Sequence, residues 1–288
     1  MMRQRKTMGD FFFSAVIILW ALIILFPIYN LIVVSFSTEL AAIRTPVLLF
    51  PNPPVLTAYE TVFSNDMVTG GLFITFLLII IGVPYTMFLC SSLAYGLSKK
   101  LPGVGFVGFI IVATLYFGGG LIPFYLLMRN LGLINSVFAM ILPHGATVFH
   151  VIILRNFFQN IPKDIEESAY IDGAKDIRVF AQIIIPMSLP IMVTIGLFVT
   201  VQYWNEWWHC LLFINSSNKL SLQYVLRSIL IEVNQVRQSV PEDIDLSKIY
   251  NEGVKAAVVI ITTLPVAVVY PFLQKYFVRG LSSGALKF

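Results

Sequence analysis

Long apolar runs alternate with short polar segments along almost the whole chain. Six runs contain no Asp, Glu, Lys or Arg: 11–38, 67–98, 101–128, 130–154, 179–205 and 256–274. A charge at the centre of a bilayer costs about 2.5–3.5 kcal/mol on insertion scales, and a helical span needs roughly 20 apolar residues. Each run therefore predicts a membrane-crossing helix, the last being just long enough. The expected fold is all-α: a polytopic membrane protein with six transmembrane helices within 11–277, a cytoplasmic N-terminus at 1–10 and a cytoplasmic tail at 278–288.

The polar segments set the orientation. With the N-terminus inside, twelve of the 19 Lys and Arg residues fall on cytoplasmic segments and seven on external ones. That bias predicts N-in and C-in. Two external loops are substantial. The first, 37–67, carries Pro46, Pro51, Pro53 and Pro54 and predicts a stiff, extended excursion. The second, 213–252, places Leu222, Val225, Leu226, Ile229, Leu230 and Val233 at the spacing of one helix face. An amphipathic helix is expected there, packed either on its own loops or against a partner.

Composition narrows the class. The chain is 288 residues long, 58% hydrophobic and only 12% charged, with a mean hydropathy of +0.85. Soluble domains carry about 25% charged residues. A net charge of +4 without a basic run excludes a phosphate-tracking surface. The basic start, MMRQRKTMGD, precedes an apolar run longer than a signal peptide's, with no small-residue cleavage site, so it is read as a retained first span. Cys90 and Cys210 lack metal-ligand spacing and are read as small core residues.

Several motifs fail on context. Gly103, Gly105 and Gly108 fit a dinucleotide fingerprint in spacing, but they open a predicted span with no preceding strand. Gly118, Gly119 and Gly120 lack the Lys-Ser/Thr of a phosphate loop and are expected to loosen or break the third span, or to let a neighbour approach. His144 and His150 lie six apart, not at the i, i+4 spacing of a helical metal pair, and are read as hydrogen-bonded bundle histidines. No catalytic constellation and no metal set is visible. Energy for transport against a gradient would come from another chain.

One polar island interrupts the apolar pattern. The cytoplasmic loop 155–187 holds nine charged residues. Pro162 suits a helix start, and Asp164, Glu166 and Glu167 complement the positive end of the helix dipole. Ile161, Ile165 and Ala169 recur every four residues as one apolar stripe. Gly173 suits the C-terminal turn, where positive φ costs little only for glycine. A second amphipathic stretch, 177–185, leads to Pro186. The expected unit is a short helix, a glycine turn and a helix that re-enters the membrane: a knob for a socket on another protein.

These residues carry a resemblance. Glu167-Ser168-Ala169, Gly173, Ile183 and Ile185-Pro186 resemble the EAA loop of ABC importer permeases, E-A-A-x3-G-x9-I-x-L-P, with Ser168 and Ile185 as departures of small volume. Leu154 to Phe158 with Ile161-Pro162 is similar to the lead-in of that loop. Tyr276 to Leu281 and Gly284 to Lys287 are similar to the ending of the carbohydrate branch, that of the maltose permease G-type subunit. Gly118–Pro123 and the long loop before the last span resemble the sub-branch for complex oligosaccharides and polysaccharides. The resemblance implies a permease subunit of a binding-protein-dependent importer. It implies a second permease subunit, an ATPase dimer that binds ATP and Mg, an extracytoplasmic solute-binding protein and an oligosaccharide solute, and no cofactor in this chain. It implies that Glu166, Glu167, Ser168, Ala169, Asp172, Gly173, Pro186 and Arg279 serve ATPase coupling, with Glu167 entering a cleft of the ATPase. The alternatives are a permease for another solute such as a peptide, or a proton-coupled secondary carrier.

The fifth run ends in Tyr203-Trp204-Asn205-Glu206-Trp207. Two readings stand here. One is an interfacial aromatic belt with a Glu reaching to water. The other is a sugar contact, with Asn and Glu facing hydroxyls and Trp rings facing C–H surfaces.

Overall fold

The computed structural model describes residues 8–45, 47–51, 53–239 and 252–285; side chains at 8–10, 43–44, 232–239, 269–270 and 272–285 lie outside that description. The described residues contain helices and loops and no strand. Two compact units are present, one of residues 1–66 with 226–265 and one of residues 67–225 with 266–288.

In the first unit, α1 (Met8–Ser35) is apolar all round, as a helix solvated by lipid must be. The segment after it folds back on its end. The amide of Val55 donates to the Phe36 carbonyl at 2.8 Å, Asn30 Nδ2 donates to Leu48 O at 2.9 Å, and the Ser35 and Tyr59 hydroxyls lie 2.9 Å apart. The proline-rich loop is therefore shorter than the expected excursion. Two helices flank it, α2 (Glu39–Arg44) and α3 (Thr57–Phe63), because the four prolines are confined to 46–54 and their neighbours are free to coil.

The second unit is built on α4 (Asp66–Ser98), a 33-residue helix that runs through Pro84. The third apolar run is not one helix. It divides into α5 (Val104–Ala113) and α6 (Leu121–Asn130), and the break falls at Gly118–Gly120, where Gly120 has φ +82°. The fourth run contributes two 3-10 turns, Val137–Met140 and Leu142–His144, then α7 (Val148–Gln159), with a 44° bend between them. After the polar island come α8 (Lys163–Ile171), α9 (Asp176–Val179), a π-helical turn at Phe180–Ile184 and α10 (Ile185–Met187). The chain bends by 84° at Ser188 into α11 (Leu189–Trp204). Pro186 and Pro190 explain the site of the bend: Pro190 has no N–H to give the Pro186 carbonyl.

A short α12 (Trp208–Phe213) follows, then α13 (Leu222–Ser239) and α14 (Glu252–Ala285). The amphipathic reading of α13 holds where its side chains are described: Leu222, Val225 and Leu226 are buried and Arg227 is exposed. The core of the second unit joins Leu78, Cys90 and Ala94 of α4, Leu154 of α7, Ile184, and Ile195, Val199 and Tyr203 of α11. Asn135 locks two loops around this core. Its φ is +60°, its side-chain carbonyl accepts the amides of Asn215 and Ser216 at 3.2 and 3.0 Å, and Lys219 Nζ donates to its backbone oxygen at 2.7 Å.

Among the described helices, α1 from Phe11 and α4 are each long and apolar enough to cross a membrane. The two bent pairs, in the fourth and fifth runs, raise that number to four if each is one span.

Candidate functional site

The first half of the polar island, 162–173, folds as its sequence predicts. Pro162 stands at the N-cap of α8, with φ −56° and ψ 129°. Asp164 and Glu166 lie in the first turn, where acidic side chains meet the unpaired amides. At the other end the Gly173 amide donates to Tyr170 O at 3.0 Å and the Ala174 amide to Ala169 O at 2.9 Å. That is a Schellman stop, and it requires the left-handed residue that Gly173 supplies at φ +78°. The apolar stripe faces inward: Ile161 is buried, Ile165 and Ala169 half-buried. The opposite face carries Glu167 and Ser168, both exposed, and the end of the loop exposes Ile171 (86%) and Ile177 (81%). Two bare isoleucines beside a carboxylate offer a partner both apolar area and a charge. Asp172, Gly173 and Pro186 are also exposed.

The resemblance groups Glu166 with Glu167 as coupling residues. The structure turns Glu166 inward, onto Lys99 at the end of α4. Lys99 also lies over the ring of Tyr95, 4.4 Å from its centroid, and over that of Tyr170 at 5.7 Å. Tyr170 donates its hydroxyl to Asp176 Oδ1 at 2.6 Å. Burial first, then this bond, holds the phenol well above its ordinary pKa; Tyr170 is thus a neutral donor at physiological pH. Arg155 Nε donates to Leu97 O at 3.1 Å. These contacts tie the start and the middle of the island to the foot of α4, around a crevice of about 850 Å³ whose lining includes Lys99, Lys100, Arg155 and Lys163.

The Lys99–Glu166 pair is partly exposed, so screening keeps its direct contribution to about 1 kcal/mol. Its role is positional. Lys99→Glu and Glu166→Lys are each expected to loosen α8 from α4, and the charge-swapped double variant to regain most of what either loses. A double-mutant cycle on hydrogen exchange in α8 checks this; equal exchange in all four proteins would remove the tie.

The Tyr203–Trp207 stretch is divided by the fold. Tyr203 is buried between α4 and α11, and its hydroxyl lies 2.9 Å from Thr86 Oγ1 and donates to Ile141 O at 3.1 Å. Trp204 is buried, Asn205 exposed and Trp207 half-buried. Glu206 is 4% exposed and does not reach to water. Its Oε2 contacts His144 Nε2 and lies 3.0 Å from His209 Nδ1. Its Oε1 accepts the backbone amide of His209 at 2.8 Å, and its backbone oxygen accepts from Ser221 Oγ. Gln202 Nε2 stands 2.6 Å from His144 Nδ1. The two imidazoles are perpendicular, with centroids 4.8 Å apart.

His144 is thus a bundle histidine with partners, as expected, but those partners are Glu206, His209 and Gln202. His150 departs from expectation: it is buried and its Nδ1 has no hydrogen-bond partner. Cys90 and Cys210 are buried free thiols, as small core residues should be. Arg279 falls within the backbone of α14, its side chain outside the described set, and Lys287 and Phe288 lie outside the described residues altogether.

Apolar helices of spanning length, bent apolar pairs and a polar loop helix with a bare apolar tip define a helical integral membrane protein. The chain belongs to the family of binding-protein-dependent transport system inner membrane components, whose profile matches residues 101–283. It is a transport component of an ABC importer rather than an enzyme. It is 39% identical over 285 residues to the polygalacturonan/rhamnogalacturonan transport system permease protein YtcP of Bacillus subtilis (strain 168), covering 99% of this chain and 100% of that one. It is 29% identical over 285 residues to the trehalose/maltose transport system permease protein MalG of Thermococcus litoralis, covering 94% of each. A chain of a bacterial ABC transporter that imports the acidic polysaccharide alginate superposes with a TM-score of 0.84 at 29% identity, covering 95% of this chain and 99% of that chain. The carbohydrate branch read from the C-terminal motifs agrees with these relatives.

Proposed function

We propose that the chain is one of two permease subunits through which an oligosaccharide cut from a polysaccharide crosses the cytoplasmic membrane. In this reading it spans six times, N-in and C-in, with the third span broken at Gly118–Gly120. A solute-loaded binding protein docks outside, and a dimer of ATPase subunits, which bind the ATP and Mg, closes inside. α8 carries that closure to the spans, with Glu167, Ser168, Ile171, Asp172 and Gly173 at the contact and Arg279 near it. The observation that carries the reading is the outer face of α8, a carboxylate and the bare Ile171 on a helix whose other face is anchored to α4, with Ile177 bare on α9 just after it. The polysaccharide relatives support the solute class. Of the Tyr203–Trp207 cluster, Asn205 and Trp207 keep surface for a solute, while Tyr203, Trp204 and Glu206 support them from behind.

The test is purification in mild detergent, identification of co-purifying chains, and uptake into liposomes of labelled oligogalacturonate and of a neutral gluco-oligosaccharide. ATP- and binding-protein-dependent uptake of either is expected. Uptake that ignores ATP, or a preparation that never contains an ATPase, would overturn the reading. Ile171→Asp, which places a charge on the bare apolar tip, is expected to lower ATPase retention at least tenfold in the same purification.

A further inference from the structure

Glu206 is the deepest carboxylate among the described residues, and its surroundings are unusually ordered. Both histidines converge on the same oxygen, Oε2, while Oε1 is tied to the His209 amide at 2.8 Å. The remaining ring nitrogen of His144 is held by Gln202 at 2.6 Å. The Glu206 backbone is fixed by Ser221. His209 is seated by aromatic contacts, parallel to Phe213 (17°) and edge-on to Phe124 (78°). So Oε2, His144 Nε2 and His209 Nδ1 form a triangle within 4.8 Å, and the other oxygen of the carboxylate and the other nitrogen of His144 each have an outer partner. Outer partners of this kind orient metal ligands and fix their tautomers.

We infer that His144, Glu206 and His209 form a binding site for a divalent late first-row cation of the zinc type. Two imidazoles and one carboxylate are a zinc donor set, whereas calcium and magnesium need more oxygen ligands than this site offers. Tetrahedral ligand atoms about 2.0–2.2 Å from one ion stand about 3.3 Å apart, and His209 Nδ1 and Oε2 are 3.0 Å apart. Gln202 serves both states. With its N–H2 toward Nδ1, His144 carries its proton on Nε2 and bonds Glu206. With the amide turned by 180°, the oxygen accepts a hydrogen bond from Nδ1–H and the Nε2 lone pair is released to the ion. The histidine side chains retain 13% and 14% exposure against 3% for Glu206, so the histidines form the more open side of the site. The cation changes the local charge from −1, with neutral histidines, to +1.

The site reading does not depend on which solute is carried, because the measured quantity is bound metal. The assembled importer in lipid nanodiscs is stripped with chelator and titrated with Zn²⁺ alone, then with Co²⁺, whose visible absorption reports four-coordination. About one tight Zn²⁺ per copy of this chain is expected, with affinity reduced at least a hundredfold in the His144→Gln/His209→Asn variant. Gln202→Leu, which removes no ligand atom, is expected to weaken binding about 10–100-fold, and Gln202→Glu, which keeps an acceptor at Nδ1, to restore it. Binding by the double-histidine variant equal to wild type, or no Zn²⁺ retained by the wild-type complex, overturns the site. Equal binding by Gln202→Leu and Gln202→Glu overturns the outer-partner argument that carries it.

Discussion

Gly173→Val is expected to cut solute uptake about tenfold or more while ATP hydrolysis by the partner continues. Gly173 holds φ +78°, a conformation that a β-branched residue adopts only at a cost of ~1–3 kcal/mol. A Cβ there meets nothing within 4 Å, so the effect is backbone strain and not a clash. Strain of that size shifts the population of helices that hold the stop by about 5–150-fold. The alternative available to the chain is to let α8 run on past Asp172. That would lose the Ala174-to-Ala169 bond and re-aim Ile177 relative to Glu167. The measurement pairs uptake with ATPase rate in the same liposomes. Gly173→Asn is the control, because asparagine tolerates the left-handed region; it should keep much more uptake than valine. Equal losses for Val and Asn would mean that the position matters for contact and not for its backbone.

The fold of the 162–173 segment was legible because its signals are local. Pro162, the acidic first turn, the four-residue apolar spacing and Gly173 all act within about three helical turns, and each works through backbone chemistry that neighbouring residues determine. The direction of Glu166 was not legible, since it depends on Lys99, 67 residues away. The charge-free runs located apolar segments but could not report bends. A run such as 179–205 reads the same whether or not the chain turns by 84° at Ser188, though Pro186 and Pro190 were a signal that it does. The Glu206 cluster shows the same limit from another side. His144 was compared with its near neighbour His150, whereas its partner is Glu206, 62 residues on. His209, three residues after Glu206, was the one local clue.

Gly82 shows how a contact of this kind sets stability, and Gly82→Ala is expected to destabilise the second unit by about 1–3 kcal/mol. A Cβ at position 82 would stand 2.4–2.7 Å from the ring of Tyr203. In an exposed helix the same change would help, since alanine exceeds glycine in helix propensity by about 0.8–1.0 kcal/mol. The clash outweighs that gain because the ring cannot retreat. The Tyr203 hydroxyl is held by Thr86 and the Ile141 carbonyl, and the ring edge packs on His144 at 5.3 Å. Moving Tyr203 would therefore disturb the seat of the Glu206 cluster as well as the α4–α11 contact. The check is the thermal midpoint of the detergent-solubilised complex, read with Tyr203→Leu and the double variant. Leucine at 203 leaves room for the new methyl, so the double variant should be less destabilised than the two single effects added together, by about 0.5–3 kcal/mol. Strict additivity, or a Gly82→Ala protein as stable as wild type, would show that α4 and α11 do not approach this closely at Gly82.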